Sequence, residues 1–179
     1  MFTPLISTLL ICLVATGICF GYLAATGWYL TVSDVLCMLL DMVLLVLFGT
    51  ALSSVINLFL SSQGQISAVG TIVSSGYGFI CGAYMPISSF SPGLQKVISF
   101  LPGTYGTALV RNHAMQGALA EMEQIGIPVK ELKDAMDCNL YFFKNQVGLP
   151  VMYAILTVTI AVLIALYILL NSIRNKKCR

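Results

Sequence analysis

The sequence predicts an all-α polytopic membrane bundle of four transmembrane helices, with short amphipathic helices on its outer face. Three observations lead there. Of 179 residues, 58% are hydrophobic and 9% are charged, against roughly 25% charged in soluble domains, so the chain cannot cover itself with a water-compatible surface. Four apolar stretches come near the length of about 20 residues that a helix needs to cross a hydrocarbon core about 30 Å thick. Finally, Arg174, Lys176, Lys177 and Arg179 place four of the nine basic residues in the last six positions, with no acid among them.

The spans are expected at about residues 5–30, 35–60, 66–84 and 151–170, within one unit covering 1–179. The first lacks the basic leader of a signal peptide and is too long for its apolar core, so it reads as a span. The second contains Asp41, the one formal charge inside any of the four. In the last, Pro150 stands where a first-turn proline is tolerated and charges appear only after the apolar run. Cys12, Cys19, Cys37 and Cys81 lie in apolar runs with no CxxC spacing and read as small buried hydrophobes rather than a disulfide framework.

An even number of spans returns both ends to one side, and the basic tail beside the last span selects the cytoplasm. The loop 27–34 then lies outside, 61–65 inside, and the long connection 85–149 outside. Ser91-Pro92 has the form of a helix start, with Leu94, Val97, Ile98 and Leu101 following at helical spacing. Pro102-Gly103 is expected to break that helix. Thr104 then caps a second one, running toward Met115 and ending near Gly117. Both are too short and too polar to span, and are expected at, or dipping into, the outer membrane face. Val129, Leu132, Met136, Leu140 and Phe143 recur every three or four residues, with Lys130–Asp134 and Lys133–Asp137 as i,i+4 pairs, predicting a helix on an apolar surface.

Several residues bear on chemistry. Gly70, Ser74, Gly78 and Gly82 fall every four residues along the third span and Gly17 with Gly21 repeats the spacing in the first; such stripes let backbones approach, within the bundle or against a second subunit. Asp41 lies roughly 10 Å into its span. It is expected to be protonated, hydrated or paired, as a substrate-pathway or proton-relay group or as a structural hydrogen bond in the bundle. Asn57, with Ser53 and Ser61 at four-residue spacing, is expected to hydrogen-bond between helices. His113 is the one histidine and is expected on the outer surface, and the outer-loop carboxylates read as a solvated helix face, so no His-based metal cluster or hydrolytic triad can be assembled. No GxxxxGK[ST] occurs, so the chain cannot cradle ATP by itself. The basic tail beside a span indicates topology and anionic lipid rather than nucleic acid.

The order of these pieces resembles the membrane subunits of type-2 ATP-binding-cassette (ABC) exporters. The matching residues are Gly82-Ala83-Tyr84-Met85-Pro86, then Leu101-Pro102 with Tyr105, then Leu109-Val110-Arg111 and Gly117. The four spans align with the last four of the family's six, so the resemblance implies a carboxy-terminal part. Either the chain is a fragment or truncated frame, or a separate chain supplies the front half. The charged segment 121–137 is longer than the compact family version. The resemblance implies an exporter permease of a prokaryotic plasma membrane for a drug-, lipid- or polysaccharide-like substrate. It would do no covalent chemistry and hold no cofactor, ATP being bound by a partner ATPase, and would pair with a second permease copy or a front-half chain. Pro86, Pro102, Tyr105 and Arg111 would then belong to the outer gate, with Arg111 as an interfacial anchor or substrate contact. The rival expectation is a non-transporting scaffold or inactive truncated permease.

Overall fold

The computed structural model describes residues 2–60, 62–126, 128–142 and 145–177. Helix α1 covers Phe2–Thr26 and α2 covers Val32–Asn57. The start of α2 is fixed by a capping box: Thr31 Oγ1 accepts from the Asp34 amide (3.3 Å), and the Thr31 amide donates back to the Asp34 carboxylate (3.0 Å). Ser62 and Gln65 repeat this device at the start of α3, Gln63–Ile80. A single 3₁₀ turn at Ile87–Ser89 leads to α4, Pro92–Ile98, and then to α5, Pro102–Gln124. Short helix α6, Val129–Ala135, precedes a minimal hairpin in which β1, Tyr141–Phe142, pairs antiparallel with β2, Asn145–Gln146. The chain ends in α7, Leu149–Lys177.

The fold is an all-α membrane bundle. Helices α1, α2 and α7 are long and apolar enough to cross a membrane. The third expected span is also helical, but α3 is 18 residues, about 27 Å at 1.5 Å per residue, and its glycines, serines and two glutamines leave it less apolar than the other three. No described residue of α1 or α3 is buried.

The core forms where α5 packs against both α2 and α7. Ile98, Leu109, Met152 and Leu156 are fully enclosed there, with Phe48, Tyr105 and Ala108 around them. In a bilayer, lipid tails are as apolar as these side chains, so dispersion contacts and hydrogen bonds rather than water exclusion hold the cluster together. Helices α2 and α7 run in the same direction. Asp41 meets Tyr153 near their beginnings, and Arg174 Nη1 reaches the Leu58 carbonyl (3.4 Å) at their ends.

Four local expectations need correction. Two helices do meet at Pro102, α4 ending at Ile98, but Thr104 does not cap the second: Pro102 occupies the first turn of α5, Leu101 is the N-cap, and Thr104 is a buried helical residue bonding the Ile98 carbonyl (3.1 Å). Helix α5 does not stop near Gly117, because Ala118, Leu119, Ala120, Glu121 and Met122 are strong helix formers that carry it on to Gln124. The third outer helix ends at Ala135, since Asp137 adopts a left-handed φ of 54° that no helix accommodates; Phe143 lies outside the described residues. Finally, neither lysine–aspartate pair forms among the described residues. Asp134 instead accepts from Asn139 and Tyr141, and Asp137 pairs with Arg111.

Candidate functional site

The site is built around α5. Glycines let it approach its neighbours: a Cβ on Gly106 would strike Leu45 of α2, and one on Gly117 would collide with the Tyr29 carbonyl in the α1–α2 loop. Helix α5 thus lies antiparallel to α2. Its carboxy-terminal half reaches the α1–α2 loop, and its first turn is deep in the bundle beside Tyr77 of α3. It packs lengthwise along α2 inside the helix bundle.

Asp41 is the focus of the polar interior. It is 0% exposed, and both carboxylate oxygens are occupied. His113 Nδ1 of α5 lies 2.7 Å from Oδ2, and the Tyr153 hydroxyl of α7 donates to Oδ1. The His113 and Tyr153 rings are inclined at 36° with centroids 6.4 Å apart. An aspartate at mid-membrane costs about 2.5–3.5 kcal/mol on insertion scales, and hydrogen bonds at both its oxygens offset that cost. One carboxylate thereby joins three helices. His113, 7% exposed, is not on the outer surface as expected; the reading failed because the insertion's polarity is satisfied by partners rather than by water. Tyr153 was missed altogether. The available signal was an intramembrane acid that required a donor in a chain with one histidine.

Arg111 is the second polar knot. Its guanidinium donates to the carbonyls of Met136 (3.0 Å) and Gly82 and lies 3.5 Å from the Asp137 carboxylate. Asp137, 5% exposed, also accepts from the amides of Ile87 and Ser88. Arg111 thus fastens the end of α3, the 3₁₀ turn and the segment after α6 to one face of α5. Its side chain is 23% exposed, and its guanidinium is occupied by these protein partners. Asp137 had no distinguishing mark in the sequence, where it read as part of a solvated face.

The other expected gate residues occupy structural positions. Pro86 precedes the 3₁₀ turn, and Tyr105 is buried with its hydroxyl on the Ser99 carbonyl (2.6 Å). Asn57 bonds Ser53 of its own helix at 3.5 Å rather than another helix, and Ser61 lies outside the described residues. A Cβ on Gly17, Gly21 or Gly70 would meet nothing within 4 Å among the described residues. Gly78 and Gly82 are packed by Tyr84 and Ile87 from the turn that follows α3, while Ser74 bonds the Thr71 carbonyl. The described cysteines are free thiols. Beside Ser74 and Asn57, a cavity of about 310 Å³ opens between α2, α3 and the start of α5, walled chiefly by Phe48, Leu52, Val69, Val73 and Tyr77.

Between α5 and α7, two groups are shifted. Burial pushes the Cys138 thiol up, with Arg111 and Lys133 opposing. The Tyr141 hydroxyl is raised chiefly by its hydrogen bond to Asp134.

The order of helices and the inserted segment can be set against known proteins. The family model described as ABC-2 type transporter matches residues 2–115, more than half of the chain. The chain belongs to that family. It is a membrane-domain protein of the ABC transporter class, the permease part rather than the ATPase, in a family that normally works with an ATPase subunit. The match includes α1 to α4 and α5 as far as His113 and Met115, and so contains Asp41, Pro86, Pro102, Tyr105 and Arg111. Comparison with curated proteins and with solved structures returns no match.

Proposed function

We propose that this ABC-2 chain forms part of an exporter's translocation pathway, with the inserted helix α5 as the movable element of its outer gate. The observation that carries this reading is the seating of α5 between α2 and α7 through an apolar core and a polar cluster at Asp41, with no part of α5 continuous with either helix. Such a helix can leave its seat without unravelling any membrane-crossing helix.

The topology that goes with it has four crossings. Because α2 and α7 run in parallel, the chain between them must return from the Leu58 end to the Leu149 end, and α3 is the helix placed to do so. The basic end of α7 then lies in the cytoplasm by the positive-inside tendency, both termini share that side, and the α1–α2 loop against Gly117 lies outside. Gly17, Gly21 and Gly70, open on the exposed faces of α1 and α3, are then available to a second permease copy, a front-half chain or lipid. The apolar cavity between α2 and α3 favours an apolar or amphiphilic cargo such as a drug or lipid over a polysaccharide. ATP is held and hydrolysed by the partner, not here.

Affinity purification of the full chain from its native membrane tests the reading. A P-loop ATPase is expected to accompany it, and its hydrolysis is expected to respond to amphiphilic compounds after reconstitution. A chain that brings no ATPase and alters none is a scaffold or an inactive permease, and the transport reading falls.

A further inference from the structure

We propose that Asp41, His113 and Tyr153 form a proton-binding site whose occupancy holds α5 in the bundle. Its ligand is a single proton, shared between the carboxylate and the imidazole. The inference rests on the burial and geometry of the cluster, and needs neither a particular cargo nor a particular ATPase.

The argument starts from charge. A carboxylate with no exposed surface cannot be stabilised by water, and a net charge in a low-dielectric site is strongly disfavoured. With one extra proton, the Asp41–His113 pair is neutral overall, whether written as carboxylate and imidazolium or as carboxylic acid and imidazole. Without that proton the pair carries a full negative charge in a site closed to water, with only neutral donors left on it, the Tyr153 hydroxyl at Oδ1 and an imidazole N–H at Oδ2. The seated arrangement therefore binds one proton more than its deprotonated form tolerates.

Neighbouring groups do not supply the missing charge. On α2, Asp34 is occupied in the Thr31 capping box and Cys37 is a thiol that interacts with Tyr153. On α5, Arg111 is committed to Asp137 and the Gly82 and Met136 carbonyls. Next to α5, Lys133 and Asp134 belong to the segment around Asp137, and Asp134 is bonded to Asn139 and Tyr141. From α1, which packs on α2, the half-buried Cys12 and Thr16 face this side, Thr16 donating to Met42. No cation among these is placed to replace the proton on the pair.

The consequence concerns movement. When α5 withdraws, His113 goes with it and Asp41 stays on α2, so the shared proton loses one of its two holders. A free imidazole titrates at about 6.5, and a carboxyl opened to water by the departing helix at about 3.9, so at neutral or alkaline pH neither keeps the proton and withdrawal releases it. Linkage then requires the reverse: acid favours the seated helix, alkali the withdrawn one, by up to about tenfold per pH unit for one proton.

Two features of the sequence make this measurable without an attached probe. His113 is the one histidine, so a ¹⁵N-histidine spectrum contains a single imidazole, and Trp28 is the one tryptophan, adjacent to the Tyr29 carbonyl on which Gly117 rests. The full chain in phosphatidylethanolamine–phosphatidylglycerol liposomes is titrated from about pH 5 to 9, with both faces at the same pH, following the imidazole by solid-state NMR and Trp28 by emission. The expected result is a doubly protonated or Asp-bonded ring at low pH whose deprotonation coincides with a change in Trp28 emission. Asp41→Asn and His113→Gln should abolish the pH dependence of the emission, while Tyr153→Phe should keep it with a shifted midpoint. The proposal is overturned if the ring titrates with no change at Trp28, if Trp28 responds while the ring does not, or if neither changes across the range. Should a variant fail to insert, the two wild-type signals alone decide. An unaltered ATPase response alongside a failed titration would leave the permease reading standing.

Discussion

Replacing Gly117 by alanine sets two opposed effects against each other. In a helix interior, glycine to alanine normally stabilises by about 0.5–1 kcal/mol. Here the new Cβ would collide with the Tyr29 carbonyl oxygen and come within 2.9 Å of its carbon and 3.0 Å of the Tyr29 ring. The obstacle is mainly backbone, held by the loop between two membrane helices, so no rotamer change relieves it. Overpacking of this kind costs about 1–3 kcal/mol, and the net expectation is a loss of up to about 2 kcal/mol. At about 2–4 °C per kcal/mol for a chain of this size, the transition followed by Trp28 emission should fall by several degrees. Gly76→Ala in α3 makes the same exchange where nothing lies within 4 Å, and should be neutral or slightly stabilising. If Gly117→Ala raised the transition as much as Gly76→Ala, α5 would not rest on the α1–α2 loop and its insertion would be wrong.

Two further outcomes are expected. Arg111→Ala leaves the nearly buried Asp137 carboxylate without its cation; the cost of about 3–5 kcal/mol typical of a broken buried pair should fall toward about 2 kcal/mol because the guanidinium side chain is 23% exposed. Arg111→Lys should recover only part of it, since a single ammonium cannot span two carbonyls and a carboxylate, and equal stability of the three proteins in a denaturant titration would refute the role. Cys138 is buried and its thiol is raised, so a charged maleimide at neutral pH should modify it far more slowly than after denaturation. Its rate should still be rising with pH above the range of an ordinary thiol, about 8.5, and labelling as fast as a free thiol's would show that segment to be open.

The long helices were legible because length and apolarity determine them, and α1, α2 and α7 lie close to their expected positions. Helix α4 was legible from Ser91-Pro92. What eluded the sequence is the role of residues that have two uses. Gly117 serves equally as a helix stop or as a point of close approach, and Pro102 as a breaker or as a first-turn residue; which use applies depends on Tyr29 and Leu101, which no local pattern connects. Of the regularly spaced glycines in the first and third expected spans, Gly78 and Gly82 are packed by Tyr84 and Ile87 from the following turn, while the glycines that bring α5 against α2, α3 and the α1–α2 loop are Gly103, Gly106 and Gly117. Asp41 was legible as an anomaly. Its partners were not, because they come from 72 and 112 residues away.

A polar helix of 23 residues can occupy the middle of a membrane bundle only if its side chains and the irregular backbone around it satisfy one another, since lipid offers no hydrogen bonds. Along α5 this condition is met residue by residue. Thr104 donates to the Ile98 carbonyl, Thr107 to Cys81, Arg111 to Gly82 and Met136, Asn112 to Cys138, and His113 engages Asp41. Four of these five residues serve backbone carbonyls at the end of α4 or on the non-helical connections before and after α5. The fifth serves a side chain on a membrane-crossing helix. Helix α5 therefore carries its own irregular surroundings as a unit, and the attachment of that unit to the α2–α7 frame has one ionisable contact, at Asp41. Tyr105, Ala108 and Leu109 also pack in the apolar core against α2 and α7, so moving the unit as a body gives up that packing together with the Asp41 bond, whereas altering Thr107, Arg111 or Asn112 would take donors from carbonyls inside the unit itself.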